Sequence, residues 1–210
     1  MNERIDRHAR PEFDAPRSAL LLMDFQGDII ADSPLATTDA EALERIQGAV
    51  ERACELLVAA RKSGLTPIHV RMLSPRGYPG PNLRSPLLRF IESHEVLIEG
   101  TRGFDFDPRV APIQGEAIIA KRAISAFAGT DLAGFLAARD IRTLYLTGLV
   151  THFVVSSTAR DAHDRGFDVR VVEDACASAS QQRHEVELMN LRSLGEVVSS
   201  HALLNLLAGS

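Results

Sequence analysis

Three stretches of the chain end an apolar run on residues able to do chemistry. SALLLMDFQ (18–26) ends on Asp24 and Gln26, residues 116–122 end on Lys121 and Arg122, and LTGLVTH (146–152) ends on Thr151 and His152. A carboxylate beside an ammonium can give and take protons during bond cleavage, provided both face the same reacting group. The start of a helix adds backbone N–H donors, which stabilise developing negative charge. Each residue also has a plain structural role open to it. Asp24 could be a turn or cap residue, Lys121 could be solvated at a sheet edge, and His152 could cap a helix or lie on the surface. If the Asp and Lys are both buried at neighbouring strand ends, however, each needs the other.

The elements around them alternate. Strands are predicted at 18–26, 66–73, 116–122, 143–149 and 167–173, with a short edge strand at 196–199. The run at 143–149 is the most apolar. Helices are predicted at 39–63, 131–139, 153–165 and 185–194, with one more at the C-terminal end. In the first of these, Ala42, Leu43, Ile46, Val50, Ala53, Leu56, Leu57 and Ala60 recur at helical spacing; Thr37 or Thr38 is the expected cap, and Gly64 the stop. Residues 74–93 carry Pro75, Gly77, Pro79, Gly80, Pro81 and Pro86 and read as a long loop. Strands alternating with helices predict a parallel sheet covered on both faces. Ligands of such sheets bind beyond the carboxyl ends of the strands, where Asp24, Lys121 and Thr151 fall.

The chain has 210 residues, 45% hydrophobic and 24% charged, with a formal net charge of −5. That balance fits one domain with a sizeable core and carries no electrostatic footprint for nucleic acid or anionic membrane. The arginines are scattered and read as solvated surface, with Arg71, Arg76 and Arg84, near a predicted strand end, as the exceptions. Cys54 falls in a helical pattern and Cys176 just after a predicted strand. Two isolated cysteines form neither a disulfide framework nor a metal-ligand spacing. The N-terminal stretch lacks an apolar core, and no apolar run is long enough to span a bilayer. A cytoplasmic protein is expected, with no membrane or nucleic-acid partner.

In order along the chain, LLLMDFQ, AKRAISAFAGTDL, LTGLVTH, STARDAHDRGFDV and VVEDACAS resemble the successive signatures of the isochorismatase-like hydrolases, also called cysteine hydrolases. The resemblance covers about residues 19–201. It implies a three-layer α/β/α fold with a central, mainly parallel sheet of Rossmann-like topology. It also implies a single domain over 1–210, with 1–17 as an N-terminal extension, and assembly as a homodimer or homotetramer. Residue by residue, Asp24 matches the family aspartate and Lys121 the family lysine. Gly148 and Thr151 match the Gly-x-x-Thr that opens the nucleophile helix. Val154 then stands where that family carries its cysteine. Valine has no proton to lose and no lone pair to give, so it cannot form a covalent intermediate.

The backbone N–H groups of Val150 and Val154 match the family's oxyanion donors, and a cis peptide is expected between Leu149 and Val150. True isochorismatases also lack the cysteine and cleave a vinyl ether by protonation and water attack. Their Lys-x-Arg-Tyr-Ser-Ala-Phe run differs from Lys121-Arg122-Ala123-Ile124-Ser125, which tells against isochorismate itself. The zinc ligands of the nicotinamidase branch have no counterpart, since His69 and His94 stand alone. No metal and no cofactor are expected. The resemblance thus implies a small-molecule hydrolase using Asp24 and Lys121 as acid and base without a covalent step. The alternatives are an amidase-like C–N hydrolase that activates water directly and an inactive, ligand-binding member. Candidate substrate contacts are Phe25, Gln26, Arg71, Phe127, Thr151, His152 and Phe153.

Overall fold

The structure is a computed structural model that describes residues 13–30, 34–74 and 85–209. Six strands form one parallel sheet in the order β3-β2-β1-β4-β5-β6. They are β1 (Ser18–Met23), β2 (Thr66–Met72), β3 (Ala117–Lys121), β4 (Thr143–Leu149), β5 (Asp168–Ala177) and β6 (Glu196–Val198). The helices are α1 (Gly27–Ile30), α2 (Ala40–Ser63), α3 (Pro86–Ser93), α4 (Leu132–Ala138), α5 (Ser156–Asp164), α6 (Gln181–Leu191) and α7 (Ser200–Ala208).

β1 shows why the central strands read as unbroken apolar runs. Successive side chains of a strand point to opposite faces. Leu20 and Leu22 join the core beneath α2 and α7, while Ala19, Leu21 and Met23 join the core beneath α4, α5 and α6. With both faces covered, all six residues of β1 are buried, and the one polar residue, Ser18 at its start, donates its hydroxyl to the Asp14 carbonyl at 2.6 Å. The strand order runs outward in both directions from the β1–β4 pair. A crevice therefore opens between the carboxyl ends of these two strands.

Several elements differ in detail from the sequence reading. Asp39, not Thr37 or Thr38, caps α2, its carboxylate accepting the Ala42 N–H at 2.7 Å. Gly64 ends that helix in the left-handed conformation at φ 81°. Part of the expected 74–93 loop is helical. Ser85 accepts the Leu88 N–H and Pro86 occupies the first turn of α3, so a cap and a pre-set φ start a helix where the density of proline and glycine upstream suggested only loop. The rest of that loop, including Arg76 and Arg84, lies outside the described residues. β5 runs on to Ala177, which places Cys176 inside the strand rather than after it. α6 begins earlier than expected, where Ser180 caps it by accepting the Arg183 N–H. The apolar C-terminal segment packs on its own chain, with Leu203 and Leu207 buried in the core shared with α2. Among the described helices, none is long and apolar enough to cross a membrane.

Candidate active site

β1 ends abruptly at Asp24, which adopts a left-handed backbone conformation with φ 59°. Aspartate is among the few residues other than glycine found in this region. Its N–H still donates to the Val70 carbonyl of β2 at 2.9 Å, which fixes the turn against the sheet. The chain beyond is held by Gln26. Its amide nitrogen donates to the carbonyls of Met72 (3.0 Å) and Phe104 (2.9 Å), and its carbonyl accepts the Met72 N–H at 2.7 Å. Gln26 is thus fully used in clamping β1 to β2 and does not face the cavity. Phe25, beside it, is buried in the core beneath α2.

Lys121 is the last residue of β3, two strands away. Its register partner is Met72, and its side chain passes the Met72 sulfur at 3.9 Å. The ammonium donates to Oδ2 of Asp24 at 2.7 Å. Both residues are buried, Asp24 at 5% exposure and Lys121 at 2%. Oδ1 of Asp24 has no hydrogen-bond partner among the described residues. Burial raises the Asp24 carboxyl above its ordinary value, and the opposing pull of the Lys121 charge and hydrogen bond does not cancel that effect.

The segment after Lys121 holds this arrangement against α5. The Ala126 N–H donates to the Thr158 hydroxyl at 3.0 Å, and the Ser125 hydroxyl donates to Asp161 at 2.7 Å. Phe127 is buried in the core of that layer and does not line the cavity shared by Asp24 and Lys121.

At the end of β4, Gly148 lies opposite Met23 in the register. A Cβ at this position would sit 2.5 Å from the Met23 carbonyl oxygen, so only glycine allows the two central strands to approach this closely. The Leu149–Val150 peptide is cis, as the resemblance implied. A single π-helical turn, Thr151–Val155, then leads into α5. Thr151 and His152 turn away from the crevice. The Thr151 N–H donates to the Ser178 hydroxyl at 3.1 Å, and the Thr151 hydroxyl is hydrogen-bonded to Nδ1 of His184 at 2.8 Å. Nδ1 of His152 also bonds to Ser178, at 3.1 Å. Burial lowers the pKa of both His152 and His184. Ser178 and His184, which brace the turn, carry no signal that the sequence reading used.

Asp24, Lys121, Val150, Phe153 and Val154 line one cavity of about 90 Å³. Its remaining wall is aliphatic. Leu87, Leu88 and Ile91 come from α3, with Ile29, Leu35, Met72, Leu97, Ile124 and Leu149 around them. Arg71 is not part of this wall. Its guanidinium lies over the Phe104 ring, 4.1 Å from the centroid. No cysteine lines the cavity among the described residues. Cys176 is buried and its thiol is pushed up to about 12 by desolvation, while Cys54 sits half-buried in α2. Among the described residues, no group of three or more His, Cys, Asp or Glu side chains is arranged to hold a metal ion. A second cavity of about 480 Å³, lined by Arg45, Arg52, Asp174, Ser178 and His184 among others, holds no such carboxylate–ammonium pair.

The six-stranded parallel sheet flanked by helices, with Asp24 and Lys121 meeting beyond its strand ends, makes this an α/β protein with a carboxylate–ammonium pair in its crevice. The isochorismatase domain model matches residues 18–202, and the chain belongs to that family. Its relatives include the maleamate amidohydrolase of Pseudomonas putida, 32% identical over 87% of this chain and 83% of that protein. A ureidoacrylate amidohydrolase of Methylorubrum extorquens is 32% identical over 81% of this chain and 75% of its own length. Among solved structures, an isochorismatase family protein from Desulfovibrio vulgaris superposes with a TM-score of 0.80 at 27% identity, covering 91% of this chain and 98% of that one.

Proposed function

We propose that this protein is a hydrolase of a small organic molecule in which Asp24 and Lys121 move the protons and no covalent intermediate forms. The observation that carries this reading is Oδ1 of Asp24, without a partner among the described residues, on a buried carboxyl whose pKa burial has raised, beside Lys121 in an apolar cavity. A protonated Asp24 would give its proton to the substrate as the bond to the leaving group breaks. The resulting carboxylate, held by Lys121, would take a proton back from the attacking water. The amides of Val150 and Val154 are the proposed donors to oxygen that becomes negative during the reaction. Val154 stands where the resemblance expects a thiol, so water, and not a side chain, is the proposed nucleophile.

Protonation first suits a vinyl ether. A second reading is C–N hydrolysis by directly activated water, and the two amidohydrolase relatives favour it. A screen of vinyl ethers, amides and lactams against wild type and Asp24→Asn separates the two. Turnover by wild type that is lost in the variant supports the pair. Equal turnover by both proteins sinks it, and turnover of nothing by either favours an inactive binding member.

A further inference from the structure

We infer that the molecule taken by this cavity is uncharged and presents a small alkyl or aryl group, not a carboxylate, to the wall formed by Leu87, Leu88, Ile91 and Leu97. This rests on the reading of Asp24 and Lys121 as the reacting pair. Apart from those two residues, every side chain lining the cavity among the described residues is apolar. Lys121 is the one cation in that lining, and its ammonium is already bonded to Asp24 at 2.7 Å. A substrate carboxylate turned towards that aliphatic wall would be buried with no hydrogen-bond or charge partner among the described residues, which is strongly disfavoured.

Among the described residues, the other cationic or polar candidates have partners elsewhere. Arg71 stacks on Phe104, and His152 and Thr151 are bonded to Ser178 and His184. The apolar wall is a built feature, because α3 also packs Ile91 into a small core with Met72, Val96 and Leu97. The cavity, about 90 Å³ among the described residues, holds a small group beside the reacting bond. Within that limit, each methylene buried against the wall strengthens binding by about fourfold.

The test compares two amides of the same shape, 3-methylbutanamide and malonamate, in which an isopropyl group replaces a carboxylate. Binding to the wild-type protein and to Asp24→Asn is followed by protein-observed NMR, and turnover is measured in parallel. The expected result is that 3-methylbutanamide binds at least tenfold more tightly than malonamate to wild type, with the same order but a smaller ratio in Asp24→Asn, where Lys121 has lost its anion. Leu88→Arg, at a half-buried wall position, should narrow or reverse the preference while the spectrum stays that of a folded protein. Equal or tighter binding of malonamate to wild type overturns the inference, as does the absence of binding by either amide. The preference is read from binding alone. Retained preference with no Asp24-dependent turnover of any compound therefore counts against the acid–base reading and leaves the neutral, apolar occupant standing.

Discussion

The Lys121 ammonium reaches Oδ2 of Asp24 at 2.7 Å across 97 residues of sequence and over an intervening strand. The contact leaves Oδ1 as the one oxygen of that carboxylate with no partner among the described residues. Removing the acid while keeping its shape is therefore the most direct probe. Asp24→Asn is expected to lower kcat by about 10²–10⁴-fold, the usual worth of a positioned acid or base. Its circular dichroism should match that of wild type.

Asp24 also sets a pH dependence whose sign follows from its raised pKa. The folded protein holds this proton more tightly than the unfolded chain does. The contribution to stability is complete below the ordinary value of 3.8 and is lost as pH rises through the raised folded value. Thermal melts should show wild type losing stability relative to Asp24→Asn as pH climbs from about 4. If Asp24 is the general acid, kcat should fall over the same rise. A pH profile of the melting difference that stays flat would contradict the burial effect.

Glu116 behaves in the opposite way. Burial alone would raise its pKa, but the Arg61 guanidinium, the Ile113 N–H and His69 together outweigh it and hold the carboxyl at about 2, against an ordinary 4.5. Its stabilisation is present above the ordinary value and is lost as pH falls towards 2. Glu116→Gln should cost about 1.5–3 kcal/mol at neutral pH, typical for hydrogen bonds to a charged group, and the deficit should shrink on acidification. Denaturant titrations at pH 7 and pH 3 measure both.

Thiol reagents should leave turnover intact. Cys176 is buried with a thiol pushed up to about 12, and Cys54 lies in α2, away from the cavity lining. Iodoacetamide treatment followed by assay checks this, and intact-mass spectra during turnover should carry no substrate-derived adduct. A trapped adduct on any residue would remove the non-covalent mechanism.

Gly148→Ala tests the close approach of β1 and β4. The new methyl would meet the Met23 carbonyl oxygen and Cβ at 2.5 and 2.8 Å, on the residue before Asp24. Relief requires the strand ends to part, which should cost about 1–3 kcal/mol of stability, as overpacking does. Activity should fall by more than the folded fraction accounts for, because Asp24 moves with Met23. Calorimetry and kcat on the same sample distinguish the two effects.

Much of this architecture is local information. The continuous apolar runs of β1 and β4 report burial on both faces, and the helical spacing of α2 reports one buried stripe. Asp24, Lys121 and the turn after β4 could be placed at strand ends because strand ends are where apolar patterning stops. α3 was also legible in principle, since Ser85-Pro86 followed by Leu87, Leu88 and Ile91 is a capped amphipathic start. The proline and glycine crowded before it drew the reading towards loop instead.

Side-chain direction was a different matter. Phe25, Gln26, Phe127, Thr151 and His152 sit within a few residues of the cavity lining, yet they serve the core, the β1–β2 clamp and the brace to Ser178 and His184. Sequence by itself determined the fold class and the order in which the reactive residues arrive, because periodicity and strand-end polarity are properties of neighbouring residues. Tertiary structure alone decided that Lys121 binds one oxygen of Asp24 and leaves the other without a partner among the described residues, and that α3 walls the cavity with leucine and isoleucine. Those contacts join segments far apart in the chain, and their geometry follows from strand order and register, which no local pattern encodes.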